Sequence, residues 1–262
     1  MKHAGLLLCA ALALPSLTRA ATVDAPSLEA GDSWSYVETI EKAPNGWQQV
    51  RETFSVDRTT SDHIYYQLQQ TGANQAAQDV IAGSDWSRWR NVNGTETMVN
   101  QPMRFPLEAG KHWEIKYTEQ HPMPALASAD FDDRYKVVDV EPIEVPAGKF
   151  QAWKIEAEGA WTTLSAPGVR ATTGTVANQS GSTILMQTHN DQPTSTTGAT
   201  YRAFWYVPEI GRWVKSIEES YNANGVRMQR VTVELDSYKR AGQAALATAP
   251  VSTSAPAAAS AQ

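Results

Sequence analysis

The sequence predicts an all-β protein: a curved antiparallel sheet or partial barrel built from two echoing β units, with a long polar hairpin. Three observations predict it. Apolar and polar residues alternate through run after run, turn dipeptides punctuate those runs, and the stretch LEAGDSW (28–34) returns as LEAGKHW (107–113). A period of two is what a strand with one buried face requires. No segment carries a sustained helical stripe, and the one short helical candidate is 72–82, GANQAAQDVIA.

Residues 1–20 open with Lys2, run apolar from Ala4 to Leu14 and end on Thr18-Arg19-Ala20. That is the pattern of a secretory signal peptide cleaved near Ala20-Ala21. The apolar run falls short of the ~20 residues that span a bilayer, and no later stretch is long enough. Cys9 is the only cysteine and lies in that run, behind a Leu rather than the small residue a lipid-acceptor site prefers. The mature chain then has no thiol for a disulfide, a nucleophile or a metal, and export without disulfides fits a bacterial periplasm. Removing residues 1–20 takes away Lys2 and Arg19 and no acid. That leaves 28 Asp and Glu against twenty Lys and Arg, a net charge of −8. No basic field remains to hold nucleic acid or an anionic membrane surface.

Strand patterns follow in order. QVRETFSV sets Val50, Glu52, Phe54 and Val56 against Arg51, Thr53 and Ser55, and HIYYQLQ sets Ile64, Tyr66 and Leu68 on one face. WEIKY places Trp113, Ile115 and Tyr117 together, and RVTVEL places Val231, Val233 and Leu235 together. Pro44-Asn45-Gly46, Asn93-Gly94, Pro146-Ala147-Gly148, Pro208 to Gly211 and Asn224-Gly225 supply the turns. The LEAG echo, with a Trp at the same offset, divides a single β domain (21–240) into units of about 28–106 and 107–240. Residues 158–200 are rich in Thr, Ser, Gly and Ala and read as the polar hairpin. The end, 241–262, is Ala, Ser, Thr and Pro and reads as a disordered tail.

Reactive chemistry is sparse. His63, His112, His121 and His189 have no metal-binding spacing, and Ser180 in QSGST lacks a nucleophile-elbow frame. Asp130, Asp132 and Asp133 in ADFDDR lack the spacing and glycine of a calcium loop and read as an exposed acidic turn. No catalytic residue, metal or cofactor is expected.

The nine Trp are the anomaly. Trp34, Trp113 and Trp153 fit strand alternation and read as core. DWSRWRN puts Trp86 and Trp89 on opposite faces of a strand, with Arg88 and Arg90 beside Trp86. FWYVPEIGRWVK (204–215) reads as a central hairpin covered on both sides, with Trp213 and Ile217 sharing a face. The ligand-binding candidates are Trp86, Arg88, Trp89, Trp205, Tyr206 and Trp213.

PLEAGKHW (106–113), IEVPAGKFQAWKI (143–155) and FWYVPEIGRWVK resemble the signatures of an uncharacterised family of exported proteobacterial β proteins. Its pattern is a G-x-x-W start, a P-A-G-x-F turn into a strand, and a Y-W-Y-x-P-x-x-G hairpin followed by Val-Lys. The resemblance covers about 107–217 and, weakly, the first unit. Phe204 stands in place of the first Tyr, and Trp213 occupies a slot that is usually small or apolar. The resemblance implies an envelope β domain and carries over no catalytic residues. The expected function is an exported, periplasmic or secreted, non-catalytic binding protein whose partner is an apolar or amphipathic envelope component or a protein. The alternative is a carbohydrate-recognising module using exposed Trp; a hydrolase comes third.

Overall fold

The computed structural model describes residues 22–242 except 73, 179 and 180, without side chains for 168–191. The expected signal segment, nearly all of the expected tail, Ser180 and the His189 side chain lie outside the described residues. Within them every regular element is a strand. β1 (Thr22–Val23) precedes the expected first unit, which spans β2 (Ser33–Lys42), β3 (Gly46–Thr59), β4 (His63–Gln70), β5 (Gln78–Gly83), β6 (Arg88–Val92) and β7 (Thr95–Asn100). The second holds β8 (Leu107–Glu108), β9 (His112–Gln120), β10 (Leu126–Val145), β11 (Gly148–Ser165), β12 (Gly168–Asn178), β13 (Gly181–Asp191), β14 (Ser195–Val207), β15 (Arg212–Tyr221) and β16 (Arg227–Lys239). The helical candidate 72–82 is not a helix. Its second half is β5, because Val80 and Ala82 pair with Tyr66 and Ile64 on the buried face.

Ten strands form one antiparallel sheet, ordered β5-β4-β3-β2-β16-β15-β14-β11-β10-β9. The chain starts in the middle at β2 and meanders out to the β5 edge. It crosses to the opposite edge at β9 and meanders back to β16, which pairs with β2. The order is that of an up-and-down meander whose ends, β5 and β9, do not pair, which leaves the sheet open at one seam rather than closed into a barrel. Hairpin β6–β7 packs at that seam: Arg90 pairs with Glu119 at 2.6 Å, and the Asn93 amide donates to the Thr118 carbonyl at 2.8 Å. β12 and β13 pair only with each other.

One face of the sheet is the core face. Registers align Tyr66, Phe54, Trp34 and Tyr36 in the first unit and Phe204, Ile155, Val137 and Trp113 in the second. The crossing segment between β5 and β8 covers this face. Trp86, Met103 and Leu107 are buried in it, Phe105 lies 5.4 Å from Tyr206, and the Trp113 indole donates to the Gln101 carbonyl at 3.0 Å.

The two LEAG turns are built alike. Gly31 and Gly110 both take the left-handed backbone, with φ of 94° and 81°. Gly31 N donates to Val56 O at 2.8 Å and Gly110 N to Val137 O at 2.9 Å. Val56 N and Val137 N return bonds to Asp32 O and Lys111 O, each at 2.8 Å. A Cβ-bearing residue rarely adopts that φ, which is why the glycine recurs at this point of both turns.

The acidic run ADFDDR is not an exposed turn. It lies inside β10, where Asp133 faces the core, is buried, and pairs with Arg202 while accepting a bond from Thr200 at 3.0 Å. An ion pair let the carboxylate occupy an inward position.

Candidate functional site

The centre of the core face is occupied by a cation. Arg212 is 2% exposed. Its guanidinium carbon lies 3.9 Å from the Phe54 ring centroid, 4.2 Å from Trp86 and 4.3 Å from Trp213. Trp34 and Tyr36 follow at 5.6 Å and Tyr66 at 5.8 Å. Nε and Nη1 have no hydrogen-bond partner among the described residues. Burial pulls the guanidinium pKa down, opposed by Tyr36 and Tyr66, yet a guanidinium remains charged at physiological pH. Ring quadrupoles therefore do the work that carboxylates do for most buried arginines. The same burial pushes the Tyr36 hydroxyl far above its usual range.

A bulge creates this arrangement. Trp205 pairs with Lys215 but Tyr206 pairs with Trp213, so one extra residue enters β15. The bulge brings both Arg212 and Trp213 to the core side. Trp213 and Ile217 consequently face opposite ways, contrary to the sequence reading. Lys215 reaches Glu234 at 2.7 Å on the outer face. Three donors pin the hairpin: the Trp34 indole to Ile210 O and the Trp86 indole to Gly211 O, both at 3.0 Å, and the Tyr36 hydroxyl to Trp213 O at 2.7 Å.

The six candidate ligand residues do not form one platform. Trp86 sits in the turn before β6, not in a strand, with φ of +62°. It is buried against Trp34, Tyr66 and Trp213. Trp213 and the fully buried Tyr206 belong to the same core. Trp205 is buried on the other face, donating to Glu141 at 2.6 Å with the Lys154 ammonium 5.5 Å above its ring. Only Arg88 and Trp89 are exposed, Trp89 at 46%.

Beyond the crossing segment the core face continues as a half-open surface. Ile40, Val50 and Val231 form its floor at intermediate exposure, with Glu38 and Glu52 at inward positions among them. Neither carboxylate has a hydrogen-bond or ion-pair partner among the described residues. Burial, then nearby Glu52 and Glu218, pushes Glu38 up; burial pushes Glu52 up against the pull of Arg212. Arg202 borders this surface, bridging Asp133 and Glu218. A carboxyl raised above its unfolded value holds its stabilising, protonated form at low pH and loses that contribution as pH climbs through the raised value. Glu38→Gln should therefore melt above wild type at pH 7, with the gap closing by pH 4; differential scanning calorimetry at the two pH values checks this.

Sequence reasoning passed over Arg212, Glu38, Glu52 and Trp47. Alternation does place Glu38 in phase with Trp34 and Tyr36, and Glu52 in phase with Phe54. A charge at an inward position was the available signal.

No family model matches the chain. No curated protein matches it either. Two solved structures are similar in outline. One is a candidate lipoprotein from Parabacteroides distasonis ATCC 8503, 15% identical over 83% of this chain and 99% of the other, with a TM-score of 0.42. The second is a candidate exported protein with a YmcC-like fold from Bacteroides fragilis NCTC 9343, 14% identical over 84% of this chain and 100% of the other, with a TM-score of 0.41. Likeness at that distance transfers no property to this chain. The family resemblance rests on the motifs alone.

Among the described residues no group of three or more His, Cys, Asp and Glu side chains converges as a metal cage, and no helix is long and apolar enough to cross a membrane. No described histidine side chain shares a hydrogen bond with a hydroxyl or carboxylate.

Proposed function

We propose that the chain is an exported protein of the bacterial envelope that binds an amphipathic ligand and catalyses no reaction. The observation that carries this reading is the half-open part of the core face. There an apolar floor of Ile40, Val50 and Val231 adjoins the unpartnered carboxyls of Glu38 and Glu52. The aromatic centre of the core face supports binding less, because Trp86, Met103 and Leu107 are buried against it. An acyl or other apolar tail would lie on the floor, and a hydroxyl- or amine-bearing head would meet the carboxyls. Export follows from the pattern of residues 1–20.

Uptake of the neutral dye Nile red tests the site. The folded protein should take it up, and Val231→Asp, which puts a charge on the floor, should weaken uptake at least tenfold. Organic extraction of protein isolated from its native envelope should also release a molecule with an apolar tail. No uptake together with an empty extract would end the reading.

A further inference from the structure

The outer face carries a second surface, independent of the core-face reading, at the end of the sheet where the β2–β3 and β15–β16 hairpin tips meet. Trp47 is 66% exposed, the most exposed large apolar side chain among the described residues. Its position is fixed by the ladder: Trp47 pairs with Glu41, and Ala43 N donates to Met228 O at 2.9 Å across the two tips. A groove of about 420 Å³ runs beside it, lined by Glu41, Pro44, Asn45, Trp47, Arg227 and Met228.

Next to the indole stands an ordered row of planar polar groups. Arg227 is held between Glu41 at 3.0 Å and Glu219 at 3.2 Å. Glu219 also accepts the Tyr221 hydroxyl at 2.5 Å and has Arg230 at 3.6 Å. Each side chain in the row is oriented by its neighbours, so little rotamer freedom remains to be lost on binding.

We infer that this surface binds a neutral polysaccharide, one pyranose stacking on Trp47 and its hydroxyls meeting the Glu41–Arg227–Glu219 row. A pyranose has an apolar C–H face and a rim of hydroxyls that both donate and accept. A flat indole beside alternating guanidinium donors and carboxylate acceptors complements both features. An acyl chain would satisfy the indole but strip water from the charged row without replacing its hydrogen bonds. An extended peptide would seek the edge strands β5 and β9, which lie elsewhere. A polyanionic glycan would meet cations already committed to Glu41 and Glu219, on a chain of net charge −6.

Affinity electrophoresis tests the inference, using native gels cast with dextran, laminarin, mannan or the polyuronate alginate. At least one of the three neutral polymers should retard the wild-type protein. Trp47→Ala should weaken that retardation at least tenfold, and Trp47→Phe, which keeps a flat ring, should recover part of it. Ile81→Ser, at another exposed apolar residue (56%) on the β5 edge, should leave it unchanged. Circular dichroism shows whether each variant is folded, and Trp47→Phe carries the test if the alanine variant is not. The inference is overturned if no neutral polymer retards the wild type, if only alginate does, or if Trp47→Ala and Trp47→Phe both migrate like wild type. It is also overturned if the wild type instead sediments with phosphatidylethanolamine–phosphatidylglycerol vesicles in a Trp47-dependent way. Nile red uptake at the core face is unaffected by any of these outcomes.

Discussion

Arg212→Ala should cost about 3–5 kcal/mol of unfolding free energy, the range for emptying a large, well-packed core position. The side chain fills the space between six rings, and a desolvated cation–π contact is worth about 2 kcal/mol or more. Its charge opposes this, because the guanidinium gave up water and two of its nitrogens regained no partner. Arg212→Met separates the two effects. It keeps most of the volume, removes the charge and offers a thioether to the rings, so it should cost less than half as much as alanine. Arg212→Lys keeps the charge but loses the planar guanidinium that sits 3.9 Å from the Phe54 ring and 4.2 Å from Trp86, and should be closer to alanine than to wild type. Urea unfolding followed by Trp fluorescence ranks the three. A lysine variant as stable as wild type would show that charge alone is required; an alanine variant within ~1 kcal/mol of wild type would show that the rings close without the cation.

Trp86→Ala should have an effect of similar size, about 3–5 kcal/mol, but located differently. Trp86 is one of the contacts by which the crossing segment grips the sheet, through edge-to-face packing on Trp34, Tyr66 and Trp213 and its bond to Gly211 O. Hydrogen exchange should therefore accelerate first in residues 84–108, while the β2–β3 and β10–β11 ladders keep their protection. The backbone adds a sharper test. At φ of +62° a side chain other than glycine is strained by ~1–2 kcal/mol. Trp86→Gly should thus be no less stable than Trp86→Ala, the reverse of the usual order. A glycine variant clearly weaker than alanine would contradict the left-handed turn.

Much of the sheet was legible because alternation is a local signal. Phe54, Tyr66, Trp113 and Leu235 all lie on the face their period of two assigned. The LEAG echo was legible for the same reason, since a glycine required by φ repeats wherever the turn repeats. Three features were not. The bulge at Trp213 shifts phase by one residue without marking the sequence, and it reversed the relation of Trp213 to Ile217. Asp133 was misread as surface because its partner, Arg202, is far away in the chain. The covering of the aromatic centre was hidden because Trp86 leaves the strand pattern altogether, and only the path from β5 to β9 reveals that residues 84–108 must pass over the core. Of the six candidate binding residues, the burial of Trp86, Trp205 and Tyr206 depends on that path and on pairing across the sheet. Trp47 was missed because a tip residue has no period to stand out from.

The pairing of β16 with β2 has a consequence for how the molecule is made. The strand that flanks the earliest long hairpin is the last in chain order among the described residues, so the middle of the sheet keeps an unsatisfied backbone edge until residues 227–239 emerge. Closing such a distant pair is slow and entropically costly. A chain built this way completes its sheet only once the C-terminal strand is available to pair. Cutting it short before Arg227 should give an aggregating product rather than a smaller version of the same fold.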